Sequence, residues 1–247
     1  MNFADILVPT CALFLDFDGT LVDIAPDPDA VIVPPGLLET LEAANRYLGG
    51  AVALISGRPI AQIDHFLKPL VFPAAGVHGA ERRSATGPLT YLSTHPLDNV
   101  EATALRLVAQ DSRLRVEVKR GSIALHYRQA PELEALCVDA MRAAVDESPG
   151  LVLMRGKMVL EAKPGGASMG VAIEAFMQEE PFAGRAPLFV GDDVTDEMGF
   201  ATVQKLKGLG VKVGEGATCA WQRLPSPEEF RRQLQKAVAP RAGKVNA

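Results

Sequence analysis

The stretch CALFLDFDGT, at residues 11–20, determines how the rest of the chain is interpreted. Its first five residues are apolar without alternation, which is typical of a central strand of a parallel sheet that is buried on both faces. Asp16 and Asp18 follow this strand at once, and Gly19 and Thr20 come next. Ligands of open α/β sheets bind beyond the carboxyl ends of the strands. We therefore expect a site built from carboxylates at this end of the first strand.

Two later segments repeat the arrangement of a buried strand that ends in polar residues. Residues 51–55 lead into Ser56-Gly57-Arg58, and residues 188–190 lead into GDDVTDE at 191–197. Apolar runs and helical patterns alternate around them, as they do in the βαβ units of a parallel sheet. These parts of the chain predict a Rossmann-like core of class α/β, made of residues 1–84 and 163–247.

The segment between them, residues 85–162, has a different pattern. Residues 114–119 and 122–128 alternate apolar and polar side chains, and amphipathic helices are predicted near 97–110 and 131–147. An antiparallel sheet with one face covered by helices and one face in water has this signature. We therefore predict an α+β antiparallel domain inserted into the parallel-sheet core.

Composition excludes several classes of protein. The chain has 247 residues, 48% of them hydrophobic, and a net charge of −5, which argues against nucleic acid or an anionic membrane as the main partner. Its three cysteines are too few and too widely spaced for a disulfide framework or a zinc site. No basic leader precedes the first strand, and no apolar run approaches the ~20 residues that span a bilayer. We expect a cytoplasmic protein that acts as a monomer on a small molecule.

Carboxylates at the strand ends predict a metal site. Five of them would meet at one edge of the sheet, where like charges in a low dielectric repel strongly. A divalent cation with oxygen ligands relieves that repulsion, and Mg²⁺ suits a site for phosphate. Two of the five, Asp193 and Asp196, are on their own equally consistent with helix N-caps. The predicted metal ligands are Asp16, Asp18, Asp192, Asp193 and Asp196.

The motifs also carry a family resemblance. DFDGT at 16–20, SGR at 56–58 and GDDVTDE at 191–197 resemble motifs I, II and IV of the haloacid dehalogenase superfamily, and the insertion lies where that superfamily places its C2-type cap. Further segments extend the resemblance, over about residues 12–225, to trehalose-6-phosphate phosphatases. These segments are GVHG at 76–79, VEVK at 116–119, HYR at 126–128 and EAKP at 161–164.

The resemblance implies a Mg²⁺-dependent phosphatase that forms an aspartyl phosphate on Asp16. Asp18 would protonate the leaving sugar oxygen and then take a proton from the attacking water. Asp16, the backbone carbonyl of Asp18 and Asp192 would hold the metal ion, with Asp193 and Asp196 holding its water. The residues expected to bind the phosphate group are Gly19, Thr20, Ser56, Gly57 and Arg58.

One position departs from the family pattern. The resembling phosphatases usually carry a lysine before a glycine at a helix start, and this chain has Met169-Gly170 there. Lys163 is the nearest cation, so we expect it to take the catalytic role. The alternatives are that Arg58 substitutes for it, or that the protein is a catalytically weak binder of sugar phosphates.

Substrate recognition is expected on the inserted domain, because each buried hydroxyl of a sugar needs a hydrogen-bond partner. Glu117 and Lys119 are two residues apart on one strand and therefore point the same way, although they are also consistent with a solvated edge strand. Glu161 and His78 complete the expected substrate-binding set. His126-Tyr127-Arg128 is interpreted as mainly structural. The implied substrate is trehalose 6-phosphate, with another sugar phosphate such as sucrose 6-phosphate as the alternative.

Overall fold

The computed structural model describes residues 2–91, 96–119 and 121–239. Within them the chain forms an eight-stranded sheet and a separate four-stranded sheet. The strands, in chain order, are β1 (Cys11–Leu15), β2 (Val52–Ile55), β3 (Ala74–Gly76), β4 (Glu81–Arg83), β5 (Leu89–Tyr91), β6 (Arg115–Lys119), β7 (Ser122–His126), β8 (Leu151–Gly156), β9 (Val159–Pro164), β10 (Ala186–Gly191), β11 (Leu209–Val213) and β12 (Gln222–Leu224).

The larger sheet has the order β12-β11-β10-β1-β2-β3-β4-β5. Its first six strands in this order run parallel, and β4 and β5 are added antiparallel at one edge. β1 lies in the middle, where Phe14 pairs with Phe189 of β10 on one side and with Ala53 of β2 on the other. All five residues of β1 are buried, as a strand covered on both faces requires. The parallel-sheet core is thus confirmed.

Helices cover both faces of this sheet, and their apolar residues follow the helical period. In α2, Leu37, Leu41 and Ala44 are buried at i, i+4 and i+7. The last helix begins after Ser226, whose side chain accepts a hydrogen bond from the Glu229 backbone N–H at 3.2 Å, as the sequence predicts. No helix among the described residues has the length and apolar character needed to cross a membrane. The helices are α1 (Phe3–Ile6), α2 (Leu37–Tyr47), α3 (Ile60–Leu67), α4 (Asp98–Gln110), α5 (Glu134–Asp146), α6 (Met169–Phe176), α7 (Glu197–Lys205) and α8 (Pro227–Val238).

The smaller sheet is antiparallel, with the order β6-β7-β9-β8. One of its faces packs on α4 and α5, where Leu125 and Leu160 of the sheet lie in one buried cluster with Val100 and Met141 of the helices. The inserted antiparallel domain, called the cap below, is therefore present as predicted. The other face of the cap sheet is turned toward the core.

The boundaries of the cap differ from the predicted residues 85–162. Strand β5 pairs with β4 in the larger sheet, and β9 continues to Pro164 in the smaller one. Leu89–Tyr91 is short and exposed, so it lacks the buried apolar run that marks the other core strands. We propose that the cap begins after residue 91 and ends at residue 164. The predicted domains also include residues 1, 92–95, 120 and 240–247, which lie outside the described residues.

Candidate active site

A cavity of about 380 Å³ lies between the carboxyl ends of the core strands and the free face of the cap sheet. Most of the residues expected to form the site line it. Gly19, Thr20 and Lys163 were expected there but are not among the lining residues. The predicted residues that do line the cavity are Asp16, Asp18, Ser56, Gly57, Arg58, His78, Glu117, Lys119, Glu161, Asp192, Asp193 and Asp196.

Asp16, Asp192 and Asp196, called the acidic group below, each place a carboxylate oxygen within 4.8 Å of the others. Asp16 follows β1 and Asp192 follows β10, and these two strands are neighbours in the sheet. Asp196 folds back over its own loop, where its Oδ2 accepts the backbone N–H groups of Asp192 at 2.8 Å and Asp193 at 2.9 Å. Its Oδ1 is buried and has no hydrogen-bond partner among the described residues.

Burial and mutual repulsion make these carboxylates hard to ionise. Burial raises the pKa of Asp16 well above its usual value, and the neighbouring charges of Asp196, Asp192 and Asp18 raise it further. Burial and the charge of Asp193 raise the pKa of Asp192 to about 7. For Asp196, burial outweighs the two backbone hydrogen bonds and raises the pKa to about 8.

The acidic group fits a divalent cation. All its ligand atoms are oxygens, which is the donor set of Mg²⁺ and Ca²⁺. A bound cation would offset both the burial and the mutual repulsion that raise these pKa values, and the unpartnered Oδ1 of Asp196 is a further acceptor that is not used by the described residues. The group is smaller than the predicted set of five. Asp18 is engaged by Arg58, and Asp193 caps its own turn by accepting the Val194 N–H at 2.7 Å.

Arg58 holds Asp18 through two hydrogen bonds. Nε donates to one carboxylate oxygen at 2.6 Å and Nη2 donates to the other at 2.8 Å. The guanidinium also lies over the rings of Phe17 and Phe66, 5.7 and 5.2 Å from their centroids. A guanidinium held flat in this way is pre-organised for a carboxylate or a phosphate, since both accept its two parallel N–H groups.

Two of the expected phosphate-binding residues, Gly19 and Thr20, do not line the cavity. The Gly19 N–H donates to the Val22 carbonyl at 2.8 Å, so it is not directed at a ligand. Gly19 has φ +76°, and a Cβ there would stand 2.1 Å from an Asp192 oxygen, so only glycine fits. Thr20 is fully buried, and its hydroxyl has no partner among the described residues. The expectation that these two residues bind phosphate is not supported by their positions.

Lys163 does not line the cavity, where a catalytic lysine would have to meet the phosphate group. Lys163 lies on β9, is 5% exposed, and donates its Nζ to the Ala167 carbonyl. Burial lowers the pKa of Lys163 from its usual value. Met169, the first residue of α6, lines the cavity instead. The predicted catalytic role of Lys163 is therefore unsupported by its contacts.

Charged residues of the cap face the cavity in one connected network. The side chain of Lys119 is 9% exposed and lies 3.9 Å from a Glu117 oxygen and 3.5 Å from a Glu161 oxygen. Its Nζ donates to the Gly57 carbonyl of the core at 3.1 Å. Burial opposes ionisation of Glu117, but the hydrogen bond from His126 and the charge of Lys119 lower its pKa on balance. This face is thus closed over the core and is not the solvated edge that the sequence left open.

Several cavity residues were missed by the sequence reasoning. Arg115 stands two residues before Glu117 on the same strand, so strand alternation alone would have placed it on this face. His126 and Arg128 line the cavity, whereas Tyr127 between them is buried and donates to Glu134 at 3.1 Å. Of the three HYR residues, the outer two thus line the cavity and the middle one is buried in the cap.

The sequence reasoning also missed Lys212. The signal that could have found it is its charge inside the otherwise apolar strand β11. Lys212 is 4% exposed and donates its Nζ to the Asp192 carbonyl, beside the acidic group. Lys157, in the turn between β8 and β9, lines the cavity from the cap side.

Comparison with known proteins identifies the family. The trehalose-phosphatase family matches residues 14–231. The chain belongs to this family. It is 46% identical, over 215 residues, to the trehalose-6-phosphate phosphatase of Escherichia coli strain K12, covering 86% of this chain and 81% of that protein.

Solved structures agree with the fold. The C-terminal domain of Candida albicans trehalose-6-phosphate phosphatase superposes with a TM-score of 0.85 at 20% identity, covering 94% of this chain and 92% of that one. A phosphatase of the haloalkanoate (HAD) enzyme superfamily from Bacteroides thetaiotaomicron superposes with a TM-score of 0.62 at 12% identity, covering 93% and 95%. At these identities the likeness concerns the fold. The core and cap of this trehalose-phosphatase family member thus have the haloacid dehalogenase architecture.

Proposed function

We propose that this chain hydrolyses trehalose 6-phosphate to trehalose and phosphate, through an aspartyl phosphate on Asp16. The observation that carries the proposal is the single cavity that has the acidic group at one end and the charged face of the cap at the other. A phosphorylated disaccharide needs both ends of this cavity, because its phosphate group reacts at the acidic group and its sugar part must be recognised by the cap. Family membership and the Escherichia coli relative support the same substrate.

In the first half of the reaction, a carboxylate oxygen of Asp16 attacks phosphorus and the bond from phosphorus to the sugar oxygen breaks. Asp18 gives its proton to the leaving oxygen. Arg58 holds the Asp18 carboxylate through two hydrogen bonds, and an entering phosphoryl group offers that guanidinium a second bidentate partner. We infer that the phosphoryl group accepts the hydrogen bonds of Arg58, so that the released Asp18 carboxylate takes up a proton from solvent and can then give that proton to the leaving oxygen.

In the second half, Asp18 takes a proton from water as the water attacks the aspartyl phosphate, and the bond between Asp16 and phosphorus breaks. Asp16, Asp192 and Asp196 are the residues that would hold Mg²⁺, together with the Asp18 backbone carbonyl; Asp193 stays a predicted outer ligand. A bound Mg²⁺ supplies positive charge that polarises the phosphoryl oxygens and keeps the acidic group ionised. Ser56 and the loop through Gly57 complete the wall around the phosphate.

The cap residues Glu117, Lys119 and Glu161 are proposed to bind the hydroxyls of the sugar. Their charges are paired with one another, so a ligand hydroxyl meets acceptors and donors that are already oriented. The cap also closes the cavity and excludes bulk water from the aspartyl phosphate. A monomeric state and a cytoplasmic location stay predictions of the sequence.

The experiment is phosphate release from a panel of sugar phosphates in the presence of Mg²⁺. The proposal expects trehalose 6-phosphate to be hydrolysed with the highest kcat/KM. A clear preference for sucrose 6-phosphate or another member of the panel would refute the substrate assignment.

A second candidate function rests on Met169, which lines the cavity where the family usually carries a lysine. On this reading the chain binds sugar phosphates and turns them over weakly. It predicts binding of trehalose 6-phosphate in calorimetry with little phosphate release in the same buffer, and rapid turnover would exclude it.

A further inference from the structure

A buried hydrogen bond joins His78 of the core to Glu161 of the cap. Nε2 of His78 lies 2.9 Å from Oε2 of Glu161, and the two residues are 8% and 3% exposed. An ionised carboxylate only accepts hydrogen bonds, so Nε2 is the donor. The contact therefore joins the core to the cap, from one buried polar group to another.

Glu161 is fixed by its other contacts as well. Its Oε1 accepts the Ser122 hydroxyl at 2.6 Å and lies 3.5 Å from Lys119 Nζ, and both of these partners belong to the cap. A carboxylate has about four acceptor positions, and these contacts use three of them. Glu161 lines the cavity, so the position left on Oε2, beside His78, is the one a ligand hydroxyl can use.

His78 is itself held firmly. Its backbone is left-handed, with φ 51°, and its N–H donates to the Ser56 carbonyl at 3.0 Å. Its ring lies against Gly57, where an added Cβ would stand 2.6 Å from Cε1. The imidazole is thus held with Nε2 on Glu161, while Nδ1 is buried and has no hydrogen-bond partner among the described residues.

We propose that His78 is a positioning residue rather than a ligand of the substrate. Its Nε2 donates from the core to the Glu161 carboxylate and orients that carboxylate. The remaining acceptor position of Glu161 then meets a sugar hydroxyl when the cap lies on the core. This inference rests on the proposed function, because that is where Glu161 is assigned to the sugar. A buried carboxylate is costly without partners. The cap carries two of those partners and the core supplies the third, so the set is complete only in the closed arrangement.

The test measures kcat/KM on two substrates, trehalose 6-phosphate and p-nitrophenyl phosphate, which has no sugar to meet Glu161. His78→Asn accepts the left-handed backbone but is too short to reach the carboxylate. It is expected to lower kcat/KM for trehalose 6-phosphate about tenfold more than for p-nitrophenyl phosphate, mainly through KM, since a hydrogen bond to a charged group is lost. His78→Gln restores a donor at similar reach and is expected to recover most of that selectivity. The matched control is His65→Asn, which removes the exposed imidazole of α3 outside the cavity and is expected to change neither value.

A double-mutant cycle identifies the route of the effect. If His78 acts through Glu161, then His78→Asn in a Glu161→Gln background costs less than about twofold in selectivity. A full additional loss in that background would show that His78 meets the substrate independently, and the inference would be wrong. Should His78→Asn fail to fold, His78→Gln decides alone: loss of selectivity with an unchanged Tm overturns the proposal, and retention supports it.

Failure of the proposed function looks different. In that case wild type releases no phosphate from trehalose 6-phosphate and does not bind it. If wild type binds without turnover, the same cycle is measured as Kd by calorimetry, with the same expected and contradicting outcomes.

Discussion

Binding of Mg²⁺ at neutral pH is expected to release protons, and the number follows from the acidic group. With pKa values of about 7 and about 8, Asp192 is about half protonated and Asp196 about nine-tenths protonated at pH 7 in the metal-free protein. A cation needs both in the ionised form, so these two residues release about 1.4 protons per ion bound. Asp16, whose pKa is also raised, adds to this number.

The assay is calorimetric titration with Mg²⁺ at pH 7 in buffers of different ionisation enthalpy. The slope of the observed heat against that enthalpy gives the number of protons released. At pH 9 the contribution of Asp192 and Asp196 is expected to fall to about 0.1 proton, because both are then ionised before the metal arrives.

Asp192→Asn is expected to weaken Mg²⁺ binding and to lower the proton release at pH 7, since one of the titrating groups is gone. Asp139→Asn, on the exposed side of α5, is the matched control and is expected to leave both unchanged. A release near zero in wild type at pH 7, with Mg²⁺ bound, would refute the reasoning about the acidic group.

Three further predictions follow from the same geometry. Without metal, the folded protein binds more protons than the unfolded chain between pH 5 and 8, because the raised pKa values of the acidic group exceed the ordinary ~3.9 of Asp. The Tm measured in EDTA should therefore fall as pH rises through this window. A Tm that rises with pH would contradict this prediction. Met169→Lys should raise kcat about tenfold or more by adding a cation beside the phosphoryl site, whereas Met198→Lys, on the exposed side of α7, should not; equal effects of the two would contradict this. Lys163→Met should lower the free energy of unfolding by about 1–2 kcal/mol while kcat stays within about threefold; a loss of kcat near hundredfold with an unchanged Tm would restore the catalytic role of Lys163.

The sequence predicted the core of the fold and the acidic end of the site for a physical reason. Strand ends in a parallel sheet share one edge, so residues that follow β1, β2 and β10 meet whatever the rest of the chain does. Asp16 and Asp192 are therefore neighbours, as expected. The short strand β5 was missed because an edge strand with exposed side chains has no buried apolar run.

Side-chain partners were harder to predict than strand ends. Lys163 was chosen by its nearness in sequence to Met169, but its side chain turns to the Ala167 carbonyl. Arg58 and Asp18 were both expected at the site, yet their pairing depends on how two loops face each other. Such contacts depend on the packing of separate elements, which spacing along the chain does not encode.

The most direct test of the account concerns Asp16 itself. Wild type is mixed with trehalose 6-phosphate and Mg²⁺, quenched in acid during turnover and digested, and the peptide spanning residue 16 is analysed by mass spectrometry. The account predicts one phosphoryl group on Asp16, absent without Mg²⁺ and absent in Asp16→Asn, which should also release no phosphate. Turnover with the phosphoryl group on another residue, or phosphate release by Asp16→Asn at the rate of wild type, would contradict it.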